Sequence, residues 1–485
     1  MKKLVLTVID SLKPEMLDRA MAEGRAPALR ALCERGTYVR DCVSSFPSVT
    51  PVASASIATG LGPDEHRIPS MNWYHRGEER YVEYGSSFQA TRAFGVVRAL
   101  YDTVYNMNLA HLASERRTVF EHLEDAGLRT ACTTYLIYRG RKRHEPEADG
   151  VYSRLARAAQ FRHGTWGPSE LFYADLFASR RTECRSTLGM PGQRDQHTGC
   201  VGAHMVENDL VDFMLCSLPD NDSYSHRRGP FAQVTSIAVA DRALERIMHV
   251  AGGPDRFLED HAVVVASDHS QTAVEDSVDL IGVLREDWRV LEAKDLAPEE
   301  AELAVSPSAR FAMVYVLDPS ARDRHVPKLV RRLLEIDGVD LVMRREGAEA
   351  AVSSADGELR FAAGGELRDP RGGEWSLTGE PSVLDLRVED GAVTSDEYPL
   401  AFDRIWRALE CPGMGDVLVS ATPGCDFVDW GGAAHIGGGS HGSLGRGDSL
   451  GALIHCGLEP DPEPRAQWSL RDITPLVLEH FAVPS

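Results

Sequence analysis

Short apolar runs of strand length alternate with helical stretches through most of this chain. Leu4 to Ile9 is a continuous apolar run ending on Asp10, the pattern of a strand buried on both faces. Pro14 to Glu23, closed by Gly24, and Pro27 to Arg35, closed by Gly36, read as helices, and Thr37 to Val43 as a strand. Thr118 to Ala126 reads as a capped helix and Arg129 to Tyr135 as the strand after it. Leu210 to Leu218 and His261 to Ala266 are further apolar strands, with a helix from Phe231 to Val250 between them. A strand from Ser449 to His455 and a helix from Asp472 to Phe481 close the chain. The alternation predicts an α/β fold, with a mostly parallel central sheet and helices on both faces. From Leu284 to Trp406 charge and glycine increase around a βαβ-like unit: Phe311 to Leu317, a helix over Val326 to Glu335, then Val339 to Arg344. The expected organisation is a core of residues 1–285 and 405–485, with 286–404 inserted as a smaller α+β lobe that caps or flanks it.

One stretch breaks the pattern by being small and polar. Ser45-Phe46-Pro47-Ser48-Val49-Thr50-Pro51 reads as a loop delivering Thr50 to a helix that Gly60 ends. A hydroxyl at a helix N-terminus sits among unpaired N–H groups and the positive end of the dipole, where negative charge is favoured. That suits phosphate binding and a hydroxyl asked to become an alkoxide. It also suits an ordinary helix cap.

In open α/β sheets, functional groups collect at the carboxyl ends of the strands. Asp10 ends the first strand, Asp222 and His226 follow the Leu218 strand, and Asp268 and His269 follow the Ala266 strand. His441 lies in a glycine-rich loop near the C-terminus. Singly, each passes for a cap or a hydrogen-bonded surface group. Together, carboxylates at one sheet edge would repel one another without a cation. Nitrogen and carboxylate ligands suit Zn²⁺, with Mn²⁺ the alternative, and this set is about what two divalent ions need.

Composition narrows the partners. A formal net charge of −21 argues against a nucleic-acid polymer, which needs clustered Lys and Arg. It leaves room for a small phosphorylated substrate held through metal ions. The most basic patch, Tyr138-Arg139-Gly140-Arg141-Lys142-Arg143-His144, reads as a solvated loop or, more sharply, as a holder of a phosphate-bearing substrate. The apolar runs are too short for a signal core or a membrane span. The 9 cysteines are odd in number and scattered without a Cys-x-x-Cys pair, so neither a disulfide framework nor a cysteine zinc site is indicated, and a reduced cytoplasmic protein is expected.

Five blocks, in order and spacing, resemble the alkaline phosphatase superfamily, and within it the type I phosphodiesterase/nucleotide pyrophosphatase branch. They are Val8-Ile9-Asp10-Ser11-Leu12-Lys13-Pro14, Phe46 to Thr50 running to Gly60, Asp222-Ser223-Tyr224-Ser225-His226 with Gly229-Pro230, Ser267-Asp268-His269, and Gly439-Ser440-His441-Gly442-Ser443. The resemblance implies an alkaline-phosphatase-like fold with one metal on Asp10, Asp268, His269 and the Thr50 hydroxyl, and a second on Asp222, His226 and His441. Asp220 rivals Asp222, but the Asp-x-x-x-His spacing favours Asp222. His66 and His435 fall outside the motifs and read as supporting residues. The resemblance further implies hydrolysis of phosphate diesters or nucleotide pyrophosphates, with Thr50 as nucleophile and a phosphothreonine intermediate.

The sequence departs from the family pattern after His66. Where the family places an Asn that helps bind the phosphoryl oxygen, this chain has Met71, with Asn72 one residue further, and Arg67 stands where Gly is usual. Asn72 is the candidate substrate contact, with backbone N–H groups near Thr50 as the other source of donors. The alternatives on the same fold are a phosphonate hydrolase and a phosphomonoesterase, and outside catalysis an inactive metal-binding protein. No Cys/Ser-x-Pro-x-Arg motif marks a sulfatase, and Thr50 stands where a phosphoglycerate mutase has Ser.

Overall fold

Successive residues of the first strand enter opposite cores, as a pleated strand covered on both faces requires. In this computed structural model, which describes residues 1–146, 161–173, 176–186, 189–294 and 297–484, β1 (Lys3–Ile9) sends Val5 and Ile9 to one apolar cluster and Leu4, Leu6 and Val8 to another. Leu17 of α1 (Pro14–Ala22) and Leu29 of α2 (Pro27–Arg35) belong to the first cluster. Ile57 of α3 (Thr50–Thr59) and Phe120 of α4 (Val119–Asp125) belong to the second.

The central sheet adds β2 (Thr37–Val43), β3 (Thr130–Thr133), β4 (Glu170–Tyr173), β5 (Phe177–Ala178), β6 (Phe213–Leu218), β7 (His261–Ala266) and β8 (Leu450–Cys456). Its order is β2-β8-β7-β1-β6-β3-β4-β5. β7, β1, β6, β3 and β4 run parallel, while β8 is antiparallel to β7 and β2, and β5 to β4. The expected mostly parallel α/β fold with helices on both faces is what the chain forms. Register matters for the site: Ile9 pairs with Leu218 and Val8 with Ala266. Asp10, Pro219 and Ser267 therefore leave the sheet along one edge.

The crossover into β6 is α5 (Arg194–Glu207). The polar stretch after β6, Asp220–Arg228, forms a helix, α6, before α7 (Val234–His249). Pro219 at its start carries no N–H to lose, and Gly229, at φ 84°, ends it. One turn of α6 thus separates Asp222 from His226 and puts both on one face.

A second, nine-stranded sheet runs from Leu303–Ser308 through Phe311–Val316, Val417–Ala421, Val339–Glu346, Glu349–Ser354 and Gly357–Arg368 to the small strands beyond. The βαβ-like unit of the sequence is split. Val417–Ala421 lies between Phe311–Val316 and Val339–Glu346, antiparallel to both. That strand comes from the C-terminal segment and stitches the two regions together.

The cysteines depart from the fully reduced set that the sequence suggested. Cys184 and Cys200 form a disulfide with Cα atoms 5.6 Å apart, joining the loop before α5 to that helix. They lie 16 positions apart, a spacing from which no pairing can be read. Among the described residues no helix is long and apolar enough to cross a membrane.

Candidate active site

Thr50 is the first residue of α3, and Val49, in extended conformation, holds the cap position. Thr50 is therefore not the ordinary cap it could have been. Its Oγ1 lies 3.2 Å from Nε2 of His269. Pro51 follows within the first turn, every residue from Pro51 to Thr59 is buried, and Gly60 closes the helix at φ 74° with its N–H on Ser56 O at 2.8 Å. Small side chains make that burial feasible, and the buried helix holds Thr50 in place.

Two groups of potential ligands meet there. The donor atoms of Asp10, Asp268 and His269 lie within 4.8 Å of one another, and so do those of Asp222, His269 and His441. His269 Nε2 is 3.6 Å from Asp10 Oδ1 and 3.5 Å from Asp268 Oδ2. Asp222 Oδ2 is 3.3 Å from His226 Nε2, and its Oδ1 is 3.7 Å from His441 Nε2. The rings of His269 and His441 stack at 3.8 Å. The six strand-end and loop candidates thus come together around Thr50.

The imidazoles are oriented by the main chain. Nδ1 of His226 lies 2.8 Å from Gly439 O, that of His441 2.9 Å from Ser48 O, and that of His269 3.1 Å from Ser270 O. A carbonyl oxygen only accepts, so each Nδ1 carries a proton and Nε2 is the nitrogen turned toward the carboxylates. Burial brings His269 down to about 4, and burial with the neighbouring His269 brings His441 down to about 3. Burial, with Asp268 and Asp222 nearby, raises Asp10 well above the usual carboxylate range. Burial pushes Asp268 up to about 6. Burial also opposes charge on Asp222, yet the imidazoles of His226, His441 and His269 outweigh it and draw that carboxyl well down. Ring nitrogens and crowded carboxylates converging in this way make a set suited to a cation. The residues present fit divalent metal ions.

A cavity of about 480 Å³ opens onto this set, lined by Asp10, Thr50, Asp222, His226, Asp268 and His441. Its walls include Met71, Tyr135, Tyr173 and Arg194. Asn72 is not among its lining residues: Asn72 Nδ2 donates to Val82 O at 3.0 Å, and Met71 is the neighbour that faces the cavity. The basic run does not line it either. Arg139 is buried on Glu121 and the Leu112 and Ala113 carbonyls, Arg141 pairs with Glu121 and Asp125, and Arg143 pairs with Glu145.

The other sequence candidates separate cleanly. Asp220 points away from the ligand groups and accepts from Gly192 N, Arg194 Nε and Asp195 N at 2.8, 2.9 and 3.2 Å. His66 is a buried strut between Ser56 Oγ at 3.2 Å and Ile68 N at 3.1 Å. His435 stacks on His226 at 4.2 Å and is held by Asp426, whose Oδ2 lies 2.9 Å from His435 Nδ1. The sequence reading missed Asp426 and the small groups that hold the main chain at Asp10 and Asp268. Asn221 Nδ2 donates to Asp10 O at 2.8 Å, and Ser44 Oγ to Asp268 O at 2.6 Å. Asn221 was findable, being the residue just before Asp222; Ser44 and Asp426 carry no local signal.

Residues 4–366 match the family model described as type I phosphodiesterase / nucleotide pyrophosphatase. Comparison of the sequence with curated proteins gives no match. Among solved structures, the fold is similar to phosphonoacetate hydrolase from Sinorhizobium meliloti in complex with phosphonoformate. That match has a TM-score of 0.58 and 17% identity, covering 99% of this chain and 96% of that one. It is also similar to murine ectonucleotide pyrophosphatase / phosphodiesterase 5, with a TM-score of 0.58 and 10% identity, covering 100% of this chain and 96% of that one.

Proposed function

Since the chain belongs to the type I phosphodiesterase/nucleotide pyrophosphatase family, hydrolases of phosphoric esters, we propose that it cleaves small phosphate diesters or nucleotide pyrophosphates with Thr50 as nucleophile. The observation that carries this reading is the Thr50 hydroxyl at the start of a buried helix, 3.2 Å from a histidine that converges with Asp10 and Asp268.

Asp10, Asp268, His269 and Thr50 would hold one divalent ion, and Asp222, His226 and His441 the other. Zn²⁺ suits this mixed nitrogen and oxygen set, with Mn²⁺ the alternative. When bound, the ions supply positive charge that makes a hydroxyl acidic at neutral pH and offsets charge on phosphoryl oxygens. Thr50 Oγ1 loses its proton and forms a bond to phosphorus, and the bond to the leaving oxygen breaks with its electron pair. Water then attacks the phosphothreonine, and the Thr50 oxygen leaves and is reprotonated. The N-terminus of α3 adds an oriented positive potential where charge develops. Apolar and aromatic walls at Met71, Tyr135 and Tyr173 leave room for the ester's second substituent.

A phosphonate substrate is the second reading, supported by the likeness in fold to a phosphonoacetate hydrolase. A phosphomonoesterase has less support, because the Arg139–Arg143 run, which would have served a doubly charged group, is engaged elsewhere. Residues 1–285 and 405–485 would form the catalytic core, with 286–404 as a flanking lobe whose sheet takes in Val417–Ala421 from the core segment. Parallel assays with bis-p-nitrophenyl phosphate, p-nitrophenyl phosphate and p-nitrophenyl phenylphosphonate test the assignment. Turnover of the diester above the monoester supports it. A fully metallated protein silent on all three would support an inactive metal-binding protein instead.

A further inference from the structure

Ser11, the residue after Asp10, is fully buried and has φ 59°, a conformation that favours glycine and that side chains adopt at a cost. Strain of this kind persists where the surroundings hold it, and here they do. The Ser11 N–H donates to Asp268 Oδ1 at 3.0 Å, within one ligand group. Its Oγ donates to Asp222 Oδ1 at 2.7 Å, within the other. Asp10 Oδ1 and His269 Nδ1 are more distant from that Oγ, at 3.5 and 3.4 Å, so the single hydroxyl proton goes to Asp222. Gln271 completes the arrangement: its Nε2 donates to Asp222 Oδ1 at 2.5 Å and to Ser11 Oγ at 3.2 Å. Asp222 Oδ1 thus carries two neutral donors. Oδ2 is left on the His226 side, 3.3 Å from Nε2.

We infer that Ser11 is a positioning residue for both cation subsites, its N–H fixing Asp268 and its hydroxyl, with Gln271, turning Asp222 so that Oδ2 is the oxygen offered to a cation. The inference rests on the two-ion reading of the site and adds a division of labour to it. The backbone serves the Thr50 subsite whatever side chain stands at position 11. The hydroxyl serves only the Asp222/His226/His441 subsite. A glycine would meet the backbone requirement with less strain, so the hydroxyl is what the strained side chain contributes.

The test is stepwise Zn²⁺ titration of metal-free protein against a chelating indicator, with Asp222→Asn and Asp268→Asn identifying which step belongs to which subsite. Ser11→Ala and Ser11→Gly should both weaken the Asp222 step by about 10- to 100-fold, the usual effect of losing a group that orients a ligand. The Asp268 step should stay within about threefold, since the N–H remains. Ser11→Gly relieves the left-handed backbone, so its metal-free unfolding midpoint should match or exceed that of Ser11→Ala while the binding loss persists. Wild-type affinities in both variants, or equal loss of both steps, would overturn the inference. A wild-type protein that binds no divalent ion would overturn the two-ion reading itself, and this inference with it.

Discussion

The Thr50 hydroxyl oxygen lies 3.2 Å from Nε2 of His269, so the candidate nucleophile and the residue common to both ligand groups are in direct contact. Thr50→Ala removes the reacting oxygen and leaves α3 packed, because Val52, Ile57 and their buried neighbours make the helix contacts. Turnover of a diester should fall by at least about 10³-fold with the unfolding midpoint nearly unchanged. Thr50→Ser, which keeps a hydroxyl, should retain measurable activity. Steady-state kinetics beside thermal unfolding check both.

The convergence of three carboxylates and three imidazoles predicts dependence on divalent ions. Prolonged chelation should abolish activity, and Zn²⁺ or Mn²⁺ should restore it. Asp268→Asn and His441→Ala should each lower bound metal by about one ion per chain, measured by elemental analysis. Unchanged metal content in both variants would count against the ligand assignment.

Asp195 predicts a pH effect away from the ligands. Burial and the neighbouring Asp220 carboxylate push its carboxyl up to about 8. In the unfolded chain it titrates near 3.9. The folded state therefore binds the extra proton between those values, and stability falls as pH rises through that window, by at most about 1.4 kcal/mol per pH unit. Asp195→Asn keeps an oxygen for the Asp220 N–H, which Asp195 Oδ1 accepts at 3.1 Å, and removes the titration. Denaturant midpoints from about pH 5 to 8 should decline for the wild type relative to the variant. Parallel curves would contradict this.

Arg310 braces the loop carrying His441. It is 2% exposed, and its Nη1 donates to Asp448 Oδ1 at 2.5 Å. Asp448 Oδ2 accepts from Ser443 N at 2.9 Å, and the Arg310 N–H donates to His441 O at 2.8 Å. Arg310→Met strands a buried carboxylate and should cost about 3–5 kcal/mol in equilibrium unfolding. Arg310→Met with Asp448→Leu should recover part of that loss, because both charges are then gone.

The parts legible in the sequence are those whose signal is local. Leu4 to Ile9 and His261 to Ala266 announced parallel strands because both faces are buried, and the acids after them then fall at one sheet edge. Asp222 and His226 were legible by spacing, although the helix that explains the spacing was not, since Asp220–Arg228 is almost wholly polar. Remote pairings left no trace. Val417–Ala421 enters the second sheet between strands that precede it by about 70 residues or more, and Cys184 pairs with Cys200 without a motif. Ser11 was in plain view beside Asp10, but its value lies in reaching Asp222 and Asp268, and no periodicity reports that.

The covalent role of Thr50 is tested most directly by acid quench of the enzyme during turnover of a diester, followed by peptide mass spectrometry. The account predicts a phosphoryl group on the peptide containing Thr50, attached at Thr50, and none in Thr50→Ala. Wild-type turnover with no phosphorylated peptide, together with full activity in Thr50→Ala, would contradict it.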